Sequence, residues 1–83
     1  MILENLDKIK AEVVELINEL LGESRVIGFD EDLIMFGLDS LKSIQFIVKL
    51  EDHFKIKFEI DELVLDHFST VSKISMQVER KLN

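Results

Sequence analysis

Between residues 2 and 21, Leu3, Leu6, Ile9, Val13, Leu16, Ile17 and Leu20 recur at spacings of three and four, with Glu4, Lys8, Lys10, Glu12 and Glu15 on the other side. That period is helical. A helix with one apolar stripe hides it only by packing on other elements. Gly22 follows the last periodic residue and marks the stop. The pattern returns twice more. Residues 40–54 read as a second helix, and Val71, Ile74, Val78 and Leu82 make the buried stripe of a last one, capped by Ser69 or Thr70. Between them, Asp61 caps a short helix from Glu62 to about Asp66, and Phe68 anchors the next turn. The expected class is all-α, with three longer helices, one short third helix and a long first loop.

The chain has 83 residues, 47% of them apolar, and no cysteine. One domain over 1–83, held by helix packing without disulfides, is the expectation. A thiolate metal site and a cysteine nucleophile are excluded. The net charge is −7, from 10 basic and 17 acidic residues. That argues against nucleic-acid binding, which needs a basic stripe to neutralise phosphates, and favours encounter with basic surfaces on partner proteins. No run approaches the roughly 18 apolar residues of a membrane span. Met1 to Asp7 lacks the basic start and cleavage site of a signal peptide. A cytoplasmic monomer away from membranes is expected.

Residues 22–39 make too long a connection to hang free in a compact domain. Val26, Ile27, Leu33, Ile34, Phe36 and Leu38 are its apolar anchors, and Asp30-Glu31-Asp32-Leu33 can cap a single helical turn. Asp30 and Asp32 alternate as in a calcium loop, but Ile34 and Met35 stand where the next oxygen ligand and the glycine belong. Lys55 to Ile60 alternates like a strand. A lone strand has no partner in a helical chain, so the stretch reads as an extended connector with Ile56, Phe58 or Ile60 tucked inward.

The second helix carries two apolar sides. At 100° steps, Phe46, Ile47, Leu50 and Phe54 share one, and Leu41, Ile44 and Val48 share the opposite one, with Gln45, Glu51 and Asp52 around them. One face suffices for a small core. The other packs under the long loop or meets a partner. Ahead of this helix, Phe36-Gly37-Leu38-Asp39-Ser40-Leu41 sets a single hydroxyl at the helix mouth beside a carboxylate. Either Asp39 or Ser40 can cap, and Asp39 suits the positive end of the helix dipole.

A base beside that hydroxyl is missing. His53 is 13 residues along the same helix, about 20 Å away at 1.5 Å per residue, so no Ser–His pair forms. Glu51, Asp52, His53 and His67 show no metal-ligand spacing. The glycines make no phosphate cradle.

Gly37-Leu38-Asp39-Ser40-Leu41, with Ile44, Phe46, Ile47, Leu50-Glu51, Phe54 and later Phe68-Ser69-Thr70-Val71, resembles the phosphopantetheine attachment motif of the acyl and peptidyl carrier proteins. The resemblance spans nearly the whole chain and includes the long first helix and loop. It implies a four-helix bundle in which the Ser40 hydroxyl takes 4′-phosphopantetheine from coenzyme A as a phosphodiester. Asp39 then helps the modifying transferase. Leu41, Ile44, Gln45, Val48, Glu51 and Asp52 form a partner-docking face. The arm's thiol carries acyl or aminoacyl groups as thioesters, and the protein itself is a non-catalytic subunit. An imported sulfur suits a chain without cysteine. The implied partners are a phosphopantetheinyl transferase and acyl- or aminoacyl-loading, condensing and tailoring enzymes.

Two departures from the family pattern stand out. Lys42 and Lys49 interrupt the acidic run usual on helix two of fatty-acid-synthesis carriers, and Glu59-Ile60 replaces the proline before the third helix. With the Asp61-to-Phe68 segment, whose Leu63, Val64 and Leu65 resemble those of stand-alone carriers, they direct the expectation to a polyketide, non-ribosomal peptide, aminoacyl or related pathway. The alternatives are a fatty-acid-synthesis carrier and, in another class, an unmodified helical adaptor that binds through Leu41, Ile44 and Val48.

Overall fold

The computed structural model describes residues 6–82. Three α-helices run through them, α1 (Leu6–Leu21), α2 (Ser40–Phe54) and α3 (Val71–Leu82), with no strand among the described residues. Leu3, Glu4 and the expected helix start at residue 2 lie outside the described residues. The stripe on α1 is buried at Ile9, Val13, Leu16 and Ile17. Gly22 ends the helix at φ 69°, a left-handed conformation that costs glycine little. Asn18 then pins the outgoing chain, its amide donating to Arg25 O at 3.0 Å and its Oδ1 accepting from Arg25 N–H at 3.1 Å.

The core gathers the three stripes. Phe46 and Leu50 of α2 and Val71, Ile74 and Val78 of α3 are fully buried against α1 residues. α1 runs close to α3 over more of its length than α2 does. The chain between them contributes Ile56, Phe58 and Phe68 to the core, the two phenylalanine rings meeting edge to face at 5.4 Å. Rings in that geometry gain electrostatically as well as by burial.

The long connection is tied down as its length requires. Asp32 caps a 3₁₀ turn, Leu33–Phe36, its Oδ1 accepting from Ile34 N–H at 3.2 Å. Backbone bonds from Leu33 N–H to Ser69 O (2.8 Å) and from Ser72 N–H to Phe29 O (2.9 Å) moor the loop to the entrance of α3. Ile27, Leu33 and Leu38 are buried and Phe36 half-buried, but Val26 and Ile34 face solvent.

Residues 60–82 depart from expectation at several points. No α-helix forms over 62–66; the chain instead makes two 3₁₀ turns, Ile60–Glu62 and Leu65–Phe68. Val64 between them is extended, and Leu63 and Val64 are both exposed. With no stripe to bury there, a one-turn helix does not recover its nucleation cost. Asp61 is not the cap either: Glu62 Oε1 accepts from Glu59 N–H at 2.6 Å and closes the first turn. Of the connector residues, Ile56 and Phe58 turn inward, but Ile60 is 89% exposed. Leu82 also leaves the α3 stripe and faces solvent. Thr70 caps α3 by accepting from Lys73 N–H at 3.1 Å, while Ser69 Oγ donates back to Asp66 O. No helix among the described residues is long and apolar enough to cross a membrane.

Candidate functional site

The site is made by a change of direction at Gly37. Its φ of 102° is a conformation that a Cβ would strain. It closes the Leu33–Phe36 turn, with Gly37 N–H bound to Ile34 O and Leu38 N–H to Leu33 O. Leu38 is thereby driven into the core, and Asp39 follows in extended backbone. Asp39 Oδ1 accepts from Lys42 N–H at 2.9 Å, and Asp39 O accepts from Ser43 N–H at 2.8 Å. Asp39 is therefore the cap, and Ser40 is the first residue inside α2. Ser40 is exposed, and no hydrogen bond engages its Oγ among the described residues.

Two depressions open at this serine. A small cleft of ≈ 120 Å³ lies between the Leu33–Phe36 turn, the start of α2 and Phe68, lined by Ile34, Leu38, Asp39 and Ser40 among others. A larger groove of ≈ 520 Å³ also begins at Ser40 and runs along Ile44, Ile47 and Val48, with Leu63 among its lining residues. The second groove is mostly apolar. Leu63 and Ile34 were not among the expected site residues. Leu63 was counted within a helix, and no local pattern marks a residue whose role depends on what lies across from it.

The outward face of α2 stands free. Leu41 is 66% exposed, Ile44 60% and Val48 60%, and Gln45 and Asp52 are exposed beside them. Glu51, expected with this set, is half-buried and engaged: its Oε2 accepts from Phe58 N–H at 2.9 Å. Lys49 leans toward α1, where its Nζ lies 3.0 Å from Glu19 Oε1. His53 also turns to α1, Nε2 2.9 Å from Glu12 Oε1, with its ring edge-on to Phe54. No hydrogen bond joins either histidine to Ser40 among the described residues, and no group of His, Cys, Asp and Glu among them could hold a metal ion.

This arrangement suits an acceptor more than a nucleophile in a catalytic set. The hydroxyl is exposed, unbonded and set at the positive end of a 15-residue helix, where a phosphate is electrostatically favoured. The residues present fit a phosphopantetheine arm: an attachment oxygen open to solvent, and apolar depressions on either side of it.

The family described as "Phosphopantetheine attachment site" matches residues 11–78. Among curated proteins, the chain is 43% identical over 67 residues to the D-alanyl carrier protein of Streptococcus sanguinis, covering 80% of this chain and 85% of that protein. It is 42% identical over the same span to the D-alanyl carrier proteins of Streptococcus gordonii and Streptococcus mutans. A match across so much of the chain, on a helical fold with a free serine at the mouth of α2, places this protein in the phosphopantetheine-binding carrier family, whose prosthetic group is covalently attached 4′-phosphopantetheine.

Proposed function

We propose that this protein is an aminoacyl carrier whose attachment residue is Ser40. The observation that carries the reading is the division of labour at the helix mouth: Asp39 caps α2 and leaves the Ser40 hydroxyl unbonded and exposed. When bound, the group supplies a thiol on a flexible arm, which holds acyl or aminoacyl cargo as a thioester. The chain's own residues position and present. Asp39 fixes the helix start and sets a carboxylate beside the hydroxyl for the transferase. Leu41, Ile44, Gln45, Val48 and Asp52 offer an apolar face with a polar border to partner enzymes.

Residues 1–83 act as one non-catalytic, cytoplasmic carrier domain, monomeric in solution, in which the 60–68 segment takes the place of the short third helix of a four-helix bundle. The relatives are D-alanyl carriers by name, which favours a small amino acid, D-alanine, as cargo. Polyketide, non-ribosomal peptide and fatty-acid assembly are the less supported pathways. The partners are then a phosphopantetheinyl transferase and an amino-acid-activating ligase. Asp52 beside Ile44 and Val48 suits a partner surface with a basic border.

The test is intact mass after incubation with coenzyme A and a broad-specificity phosphopantetheinyl transferase. One phosphopantetheinyl group is gained by the natural chain and none by Ser40→Ala. A gain that survives Ser40→Ala overturns the assignment.

A further inference from the structure

We propose that Glu51 is a positioning residue that sets the wall of the groove beginning at Ser40, working through the backbone rather than through its charge. The inference rests on the reading of Ser40 as the attachment point. Glu51 sits on α2 at the far end of that groove and lines it. Its Oε2 accepts from Phe58 N–H at 2.9 Å, in a half-buried setting. Phe58 belongs to the connector that follows α2 and is buried, its ring edge-on to Phe68. Leu63, which lines the same groove, lies five residues further along this strap.

The strap is pinned again beyond Phe58. Glu62 Oε1 accepts from Glu59 N–H at 2.6 Å and from Lys81 Nζ of α3 at 2.6 Å. Its two ends are thus tied to different helices, the first to α2 through Glu51 and the second to α3 through Lys81. These tethers hold the strap between α2 and α3. A side-chain oxygen that accepts a part-buried backbone N–H is a tether that an uncharged amide oxygen can also supply. Removing it leaves the Phe58 N–H unpaired, and that part-buried group then pulls toward water.

The neighbouring Asp52 is exposed, which gives an internal contrast between charge and geometry. Glu51→Gln keeps an oxygen acceptor without the charge, Glu51→Ala removes both, and Asp52→Asn removes a charge with no backbone tether. The experiment measures hydrogen exchange at the Phe58 amide, and the KM and kcat of an aminoacyl-loading ligase acting on each full-length chain already converted with coenzyme A. In Glu51→Ala the Phe58 amide exchanges about tenfold faster or more, and the loading KM rises severalfold with kcat little changed. Glu51→Gln restores both readouts.

A raised KM in Glu51→Gln with the Phe58 amide still protected overturns the proposal, because charge then does the work. Unchanged protection in Glu51→Ala overturns it equally. Should Glu51→Ala not fold, Glu51→Gln against Asp52→Asn decides: a natural KM in the first supports positioning, and a raised one overturns it. Conversion is read separately by mass. Failure of the natural chain to gain the arm at Ser40 strikes the attachment reading, not the role of Glu51 on Phe58.

Discussion

Asp39 Oδ1 accepts the Lys42 amide at 2.9 Å, and this one bond separates the capping residue from the residue it presents. Ser40 has the side chain of a cap and the position of a first-turn residue. Had Ser40 capped the helix, its hydroxyl would be turned onto the backbone and lost to chemistry.

That relationship predicts opposite behaviour for two adjacent residues. Ser40→Ala shifts unfolding by no more than about 0.5 kcal/mol, as an exposed and unbonded side chain should, yet abolishes the mass gain. Asp39→Ala loses the cap and costs about 1 kcal/mol. Asp39→Asn restores most of that stability while slowing the transferase. Urea midpoints and intact masses read the two effects apart.

The two sides of α2 separate in the same way. Ile44→Asp or Val48→Asp places a charge on a residue already 60% exposed, so melting changes little while partner-dependent loading weakens. Phe46→Ala empties a fully buried site and costs about 3–5 kcal/mol. A large melting loss in Ile44→Asp would show that this face is packed rather than presented.

Glu62 makes the 60–68 segment acid-sensitive. Its carboxyl is held below the ordinary glutamate range, first by the Glu59 N–H and then by Lys81. A depressed folded value means that its contribution is fully present above the unfolded value and is lost as pH falls through the folded one. Carboxyl carbon shifts followed by NMR should show Glu62 titrating below the ordinary glutamate range. Lys81→Met should move it part of the way back, leaving the Glu59 contribution.

Ser75 is fully buried on α3, and its Oγ has no partner among the described residues. A buried hydroxyl without a bond carries its desolvation cost uncompensated. Ser75→Ala should therefore stabilise the protein by about 1 kcal/mol, seen as a higher urea midpoint with an unchanged slope.

Local periodicity and local chemistry carry much of this fold. Apolar spacing placed all three helices and both sides of α2, because helical period and burial on one face are linked within a single segment. A cap within Asp30–Leu33, and one at Ser69 or Thr70, were readable for the same reason: a cap bonds to amides two or three residues away. The serine at the helix mouth was likewise visible in spacing alone.

Packing in three dimensions settled the choices among near-equal neighbours and the contacts across segments. It chose Asp39 over Ser40 as the cap, and gave two 3₁₀ turns in place of a helix over 62–66, where Leu63 and Val64 form no buried stripe. It turned Ile60 and Leu82 outward and took Glu51 from the exposed face to the Phe58 amide. It also brought Leu63 into the groove that begins at Ser40. Such outcomes depend on the space and partners that distant residues leave, and no local pattern records them.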